Sequence, residues 1–188
     1  MNSICVYCGS SYGIDIVYRD AAFLLGKILA EKNITLVYGG ASVGLMGSVA
    51  DGCLSSGGKV IGVIPDNIFN MEVAHHNLTD LRIVKSMHER KTVMFELADG
   101  FISLPGGIGT LEEFFEVLTW QQLGMHNKPI GLLNIGNFYD RLFSLLHHIS
   151  DSGFMRREHI DCIVKDSDPE KLIKLLLSSR PVTISKLK

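Results

Sequence analysis

Short apolar segments alternate with longer amphipathic ones along nearly the whole chain. Each short segment is almost continuously apolar, which is typical of strands that are covered on both faces. Six such segments lie at 4–8, 34–38, 59–64, 81–84, 100–104 and 130–134, with a seventh candidate at 162–164. This alternation is the feature that most constrains the fold, because strands separated by helix-length segments favour a parallel sheet.

The longer segments carry apolar residues at helical spacing. They predict helices over 15–32, 110–123 and 137–151. Asp168-Pro169 predicts a capped C-terminal helix with proline at its first position. Together the segments predict an α/β fold, namely a Rossmann-like doubly wound, largely parallel sheet with helices on both faces.

Composition excludes several classes of protein. The 188 residues include 18 Lys plus Arg and 20 Asp plus Glu, so the net charge of −2 gives no general attraction to nucleic acid or to an anionic membrane. The N-terminus lacks the pattern of a signal peptide, and no apolar stretch approaches the roughly 20 residues that cross a bilayer. Four cysteines are too few for a disulfide scaffold. We therefore expect a soluble, reduced, cytoplasmic protein.

Many of the 19 glycines follow predicted strands. Gly9 follows the first strand, Gly39-Gly40 the second, and Gly106-Gly107 with Gly109 the fifth. The helices that start at such turns have unpaired N–H groups, so each can hold an anion and the set predicts a phosphorylated ligand. We expect residues 1–180 to form a single Rossmann-like nucleotide-binding domain and 181–188 a flexible tail.

The glycine turns do not match the two commonest phosphate motifs. A P-loop needs lysine where Leu45 stands, and the dinucleotide fingerprint G-x-G-x-x-G is absent. In YGGASVGLMG, Gly40, Gly44 and Gly47 have helical spacing instead. They serve either close packing of a helix on the sheet or contact with a ligand.

The segment PGGIGTLEE at 105–113 indicates an anion site in more detail. Gly107 and Gly109 allow backbone amides to face an anion, and Thr110 can cap the helix and donate a hydroxyl. We expect Glu113 in the first helical turn, where it could close a capping box with Thr110, and Glu112 could equally be a structural charge that faces solvent.

The segment SMHERK at 86–91 opens the preceding helix. Arg90 and Lys91 lie near its N-terminus, where the helix dipole disfavours cations, so they suggest a compensating anion. The alternative is that they are surface charges paired with Glu89 or Glu96.

Four segments carry a family resemblance: CGSS at 8–11, YGGASVGLMG at 38–47, MHERK at 87–91 and PGGIGTLEE at 105–113. They resemble the LOG family, once labelled "possible lysine decarboxylases", whose characterised members are cytokinin riboside 5′-monophosphate phosphoribohydrolases. The resemblance implies a Rossmann-like fold, a homodimer with the site near the subunit interface, and no metal or cofactor.

The resemblance also implies roles for individual residues. Glu113 is the catalytic carboxylate and Arg90 is its partner. Lys91 and the turn from Gly107 through Ile108 and Gly109 to Thr110 would hold the nucleotide, chiefly its phosphate. The further substrate contacts that it implies are Glu72, Leu111, Glu112, Thr119, Gly39 and Gly40.

The implied reaction suits these residue types. Breaking an N-glycosidic bond builds positive charge on the ribose, and a carboxylate stabilises that charge. The substrates would be adenosine 5′-monophosphates, N6-substituted or not, and the products the free base and ribose 5-phosphate. One alternative is a pyridoxal-dependent lysine decarboxylase, although no lysine has a clear context for it. The other is a non-catalytic nucleotide or cofactor carrier of the molybdenum-cofactor type.

Three other signals favour structural roles. Cys5 and Cys8 form a C-x-x-C without the second pair that a zinc site needs. His75 and His76 are adjacent and lack metal-ligand spacing, although either could border the pocket. An exposed Trp120 would favour a dimer face.

Overall fold

The computed structural model describes residues 1–69 and 74–179. Within these ranges the strands form one seven-stranded sheet in the order β4-β3-β2-β1-β5-β6-β7. Every neighbouring pair of these strands is parallel, which confirms the predicted parallel α/β fold. The strands are β1 Ser3–Tyr7, β2 Thr35–Tyr38, β3 Val60–Pro65, β4 Asp80–Val84, β5 Gly100–Ser103, β6 Ile130–Leu133 and β7 Ile163–Asp166.

Helices cover both faces of the sheet. Those of the described residues are α1 Ile16–Glu31, α2 Gly44–Ser55, α3 Asp66–Phe69, α4 Met87–Leu97, α5 Ile108–Gln122, α6 Asp140–Asp151, α7 Glu158–Asp161 and α8 Pro169–Ser178, with a 3₁₀ turn at Ile135–Asn137. Helices α1, α2 and α8 share one apolar core with the sheet. Helices α4, α5, α6 and α7 share the other core.

Two predicted helix starts are confirmed by their caps. The carboxylate of Asp15 accepts the N–H of Val17 at 3.1 Å, one residue before α1 begins. Asp168 accepts the N–H of Glu170 at 2.8 Å, and Pro169 is the first residue of α8. In both cases a short polar side chain satisfies amides that the helix leaves unpaired.

Two other predicted starts are wrong by a few residues. Helix α6 begins at Asp140 and not at 137, because Asn134 organises a 3₁₀ turn first: its Oδ1 accepts the N–H of Tyr139 at 2.7 Å. Helix α5 begins at Ile108, two residues before the predicted 110, and this difference changes the candidate site described below.

The order of strands creates a switch point between β1 and β5. From β1 the chain builds the sheet toward β4, whereas from β5 it builds toward β7, so the loops after β1 and β5 diverge. Ligands of doubly wound sheets bind in the crevice at such a point. Among the described residues, no helix is both long and apolar enough to cross a membrane. The predicted flexible tail at 181–188 lies outside the described residues.

Candidate active site

Helix α4 begins with a complete local cap. The hydroxyl of Ser86 accepts the N–H of Glu89 at 3.1 Å, and the Glu89 carboxylate accepts the N–H of Lys85 at 2.7 Å. Glu89 is therefore engaged at the start of its own helix. The alternative that Arg90 and Lys91 are surface charges paired with Glu89 or Glu96 is wrong, because both cations reach across to α5.

Helix α5 begins without a side-chain cap. Gly107 is its N-cap residue, and no side chain accepts a hydrogen bond there. A Cβ atom on Gly107 or Gly109 would meet nothing within 4 Å, so the backbone at this helix start borders open space. Uncapped amides at the positive end of a 15-residue helix are suited to an anion.

Thr110 does not cap α5 as the sequence suggested. It is the third residue of the helix, is buried, and packs against Gly106, where an added Cβ would lie 2.2 Å from its Oγ1. The expected capping box with Glu113 is also wrong, because Glu113 is the sixth residue of α5 and is not in its first turn. Its carboxylate is directed toward α4.

Arg90 and Glu113 form a buried ion pair between α4 and α5. Arg90 Nη1 donates to Glu113 Oε1 at 2.8 Å, and the two side chains are 12% and 9% exposed. A second donor of the same guanidinium, Nε, binds the carbonyl oxygen of Val63 in β3 at 3.1 Å. The contact with Val63 fixes the guanidinium, which holds Oε1 of Glu113 by one charge-assisted hydrogen bond.

Gly39 provides the space for that guanidinium. A Cβ on Gly39 would lie 2.2 Å from Arg90 Nη2 and 2.9 Å from Met46 Sδ. Gly40 has a different role, because its φ of +78° is one that other residues rarely adopt and its missing side chain would point at Ile64. Gly39 therefore borders the ion pair, whereas Gly40 shapes the turn.

Gly44 and Gly47 pack closely against backbone. A Cβ on Gly44 would lie 2.3 Å from the carbonyl carbon of Ser10, and one on Gly47 would lie 2.2 Å from the carbonyl oxygen of Ser42. Gly44 therefore packs against the turn after β1 and Gly47 against the segment before α2, and contact of these glycines with a ligand stays a prediction.

Burial disfavours the ionised form of the Glu113 carboxylate. It raises the pKa of Glu113 above the ordinary value of 4.5, although Arg90 acts in the opposite direction. The charge of Glu113 also affects residues of the β1 segment. Burial is the main cause that raises the pKa of the Cys8 thiol, and the charge of Glu113 is the second. The pKa of the Tyr7 hydroxyl is raised as well, and burial is its main cause. The carboxylate thus occupies a weakly solvated site whose main countercharge is Arg90.

Lys91 forms a second link between the same helices. Its ammonium donates to Glu112 Oε1 at 2.5 Å and to Glu116 Oε1 at 2.9 Å, and its side chain is 12% exposed. Burial lowers the pKa of Lys91, but the hydrogen bonds to Glu112 and Glu116 outweigh it, so the pKa is raised. Lys91 and Glu112, both expected at the substrate, contact each other.

The remaining residues that were expected to contact the substrate lie at several separate places. Ile108 is 83% exposed at the start of α5, and Leu111 packs against the core on that face of the sheet. Thr119 is exposed and lies about 9 Å further along the axis of α5 than Glu113. Glu72 lies outside the described residues. Trp120 is only partly exposed and packs edge-on against Phe95, with ring centroids 4.9 Å apart.

The segment before β4 is attached to the Gly39-Gly40 turn. The N–H of His75 donates to the carbonyl of Gly40 at 2.9 Å, and Ala41 pairs with Ala74 in an isolated bridge. The His75 ring lies 3.0 Å from the carboxylate of Asp51 in α2, so His75 is engaged in holding this segment.

A crevice opens at the switch point between β1 and β5. It has a volume of about 280 Å³ and is lined by the turn from Gly9 to Gly13, by Gly106-Gly107, and by the rings of Tyr18 and Phe138. The N–H of Gly9 donates to the carbonyl of Pro105 at 3.1 Å, which joins the turns after β1 and β5. In the part of the chain that is described, no group of three or more His, Cys, Asp or Glu residues could hold a metal ion.

Sequence reasoning missed two partners in this site. Glu116 could have been found, because it stands four residues after Glu112 and therefore on the same face of a helix. The carbonyl of Val63 gave no signal, since any residue at that position supplies the same oxygen.

Comparison with known proteins identifies the family. A family model described as "possible lysine decarboxylase" matches residues 46–176, which is more than half of the chain. The chain belongs to this family, the LOG family. It is 51% identical over 154 residues to the cytokinin riboside 5′-monophosphate phosphoribohydrolase of Rhodococcoides fascians, covering 81% of this chain and 78% of that one. It is 48% identical over 170 residues to the corresponding rice protein LOG (Oryza sativa subsp. japonica), covering 90% and 70%.

A solved structure with the same fold is more distant from this LOG family member in sequence. The molybdenum cofactor binding protein from the phototrophic bacterium Rippkaea orientalis superposes with a TM-score of 0.72 at 24% identity, covering 94% of this chain and 95% of that one. At this identity the similarity shows the fold alone.

The raised pKa of Glu113 has a consequence for stability. A carboxyl group with a higher pKa in the folded state binds more protons there than in the unfolded chain, so its contribution to stability falls as pH rises. We expect the free energy of unfolding of the wild type to fall relative to that of Glu113→Gln as pH rises from about 4.5 through the raised pKa. Urea denaturation across this range measures the difference, and a relative gain by the wild type would contradict the assignment.

Proposed function

We propose that the protein is a phosphoribohydrolase that cleaves the N-glycosidic bond of N6-substituted adenosine 5′-monophosphates, and of AMP. The products are the free base, cytokinin or adenine, and ribose 5-phosphate. The observation that carries the proposal is the buried ion pair of Arg90 and Glu113, with Glu113 in the second turn of a helix that starts uncapped at Gly107. The names of the relatives at 48–51% identity support the choice of substrate.

Glu113 is the side chain suited to stabilise the charge that develops at the reacting bond. As the base leaves, positive charge builds on the ribose, and a carboxylate held beside C1′ stabilises this charge and polarises the attacking water. Arg90 favours the ionised form of Glu113 against the effect of burial. The hydrogen bond from Arg90 Nη1 also holds Oε1 of Glu113, while Nε of Arg90 is held by the carbonyl of Val63.

The uncapped start of α5 is suited to bind the 5′-phosphate of the substrate. Gly107 and Gly109 leave the backbone accessible, and no side chain competes for the first amides of the helix. A phosphate bound there supplies binding energy at a distance from the bond that breaks, and this energy can orient the ribose against Glu113. We propose that Gly107, Ile108, Gly109 and Thr110 bind it through their backbone amides.

We also propose that the protein is a cytoplasmic homodimer whose interface lies near this site. Two apolar side chains at the starts of the helices that carry the ion pair are exposed: Met87, the first residue of α4, by 46%, and Ile108, the first residue of α5, by 83%. Both stand at the rim where a second subunit would cover them. The four free cysteines fit a reducing compartment. Light scattering on the purified protein tests the assembly; we expect the mass of two chains, and the mass of one would refute it.

The activity is tested by incubating the purified protein with AMP and with isopentenyladenosine 5′-monophosphate and separating the products by chromatography. We expect release of the free base and ribose 5-phosphate. Glu113→Gln should lower kcat/KM by about 100-fold or more, because it removes the charge that stabilises the transition state. Glu170→Gln, the same change at a residue 55% exposed on α8, is the matched control and should leave the rate unchanged.

A second substrate tests the phosphate site. We expect adenosine to be cleaved at least about tenfold less efficiently than AMP, since it lacks the charge-assisted hydrogen bonds at the start of α5. Equal cleavage of both substrates would refute the phosphate site. Tight binding of AMP without release of adenine would refute the hydrolase and favour a carrier.

A further inference from the structure

The ion pair of Arg90 and Glu113 has one charged neighbour on α4 and two on α5. Lys91 follows Arg90 on α4, while Glu112 precedes Glu113 on α5 and Glu116 lies one turn beyond Glu112. The ammonium of Lys91 contacts both of these carboxylates. Five charged side chains thus lie between two helices, and they carry three negative charges and two positive ones.

The position of the Lys91 ammonium argues against a direct contact with phosphate. Glu112 and Glu116 stand five and nine residues after the N-cap Gly107, which is about 8 and about 14 Å along the helix axis. The ammonium therefore lies beside the second and third turns of α5, whereas the uncapped amides lie at its start. To reach a phosphate at the start of the helix, Lys91, whose side chain is 12% exposed, would have to leave the carboxylates of Glu112 and Glu116, of which Glu112 is exposed and Glu116 is partly buried.

We propose that Lys91 is a positioning residue, which neutralises Glu112 and Glu116 and fixes against α4 the part of α5 that carries Glu113. It acts on the reaction through Glu113 and does not bind the phosphate of the substrate. This inference rests on the proposed function, because the reaction is the process that Glu113 serves.

The electrostatic part follows from the groups that surround Glu113. Arg90 and Lys91 on α4 lower the pKa of Glu113, whereas Glu112 on α5 raises it. Cys5, Tyr7 and Cys8 on the β1 side are held neutral, chiefly by burial. Lys91 therefore favours the ionised carboxylate twice, through its own charge and by compensating Glu112.

The test is the dependence of kcat/KM on pH, with AMP as the substrate, in two variants that should shift the profile in opposite directions. Lys91→Met keeps the length of the side chain and removes its charge. The acid limb of its profile should therefore move to higher pH by about half a unit or more. At a pH below the limb, this shift lowers kcat/KM by about threefold. Glu112→Gln removes a negative charge and should move the acid limb down. Lys91→Arg keeps the charge and should restore the profile.

A phosphate contact would give a different result. If Lys91 binds the phosphate, Lys91→Met should leave the acid limb in place and reduce the preference for AMP over adenosine by about tenfold or more. That result would overturn the proposal, as would shifts of the same sign in Lys91→Met and Glu112→Gln. We expect the preference for AMP to be unchanged in Lys91→Met.

A measurement that needs no activity separates this inference from the proposed function. The free energies of unfolding of Lys91→Met and of Lys91→Met with Glu113→Gln are compared across pH 4 to 8. The pH-dependent difference between them should be larger than the difference between the wild type and Glu113→Gln, because the pKa of Glu113 is higher without Lys91. An unchanged difference would overturn the electrostatic role, whatever reaction the protein performs.

Discussion

Arg90 and Glu113 meet at 2.8 Å with about a tenth of either side chain exposed. Removing either partner would leave a buried charge unpaired, which costs about 3–5 kcal/mol. The surrounding backbone is arranged around this contact: Gly39 has no side chain where the guanidinium lies, and Val63 offers a carbonyl to its second donor. A pair built mainly for stability could be replaced by apolar side chains at no loss. Its place in the second turn of a helix with an uncapped start is what supports a catalytic use.

The doubly wound topology explains why such distant residues meet. Parallel strands end at the same edge of the sheet, so Gly9 after β1, Gly39 after β2 and Gly107 after β5 lie near one another. The helix that precedes β5 and the helix that follows it then pack side by side on one face, which brings Arg90 to Glu113. The site is therefore a consequence of strand order combined with two polar residues on neighbouring helices.

The sequence predicted the class of fold and the cap at Asp168, because these depend on local patterns of polarity. It misplaced the start of α5, since Thr110 is a good capping residue but is buried against Gly106 by tertiary packing. The proposed catalytic roles of Arg90 and Glu113 came from the family resemblance, and spacing alone left Glu113 as a structural charge. The spacing of Glu112 and Glu116 places both on one helix face, but their contact with Lys91 could not be deduced, because it depends on how two helices are set against each other.

The central claim is that Arg90 and Glu113 act as one unit on the reacting bond. A double-mutant cycle on kcat/KM with AMP, comparing Arg90→Met, Glu113→Gln and the double variant, tests it most directly. If each residue acts only through the other, we expect the double variant to be no slower than the slower single variant. Losses that multiply, so that the double variant shows the product of the two single effects, would mean that the residues act independently and would contradict the account.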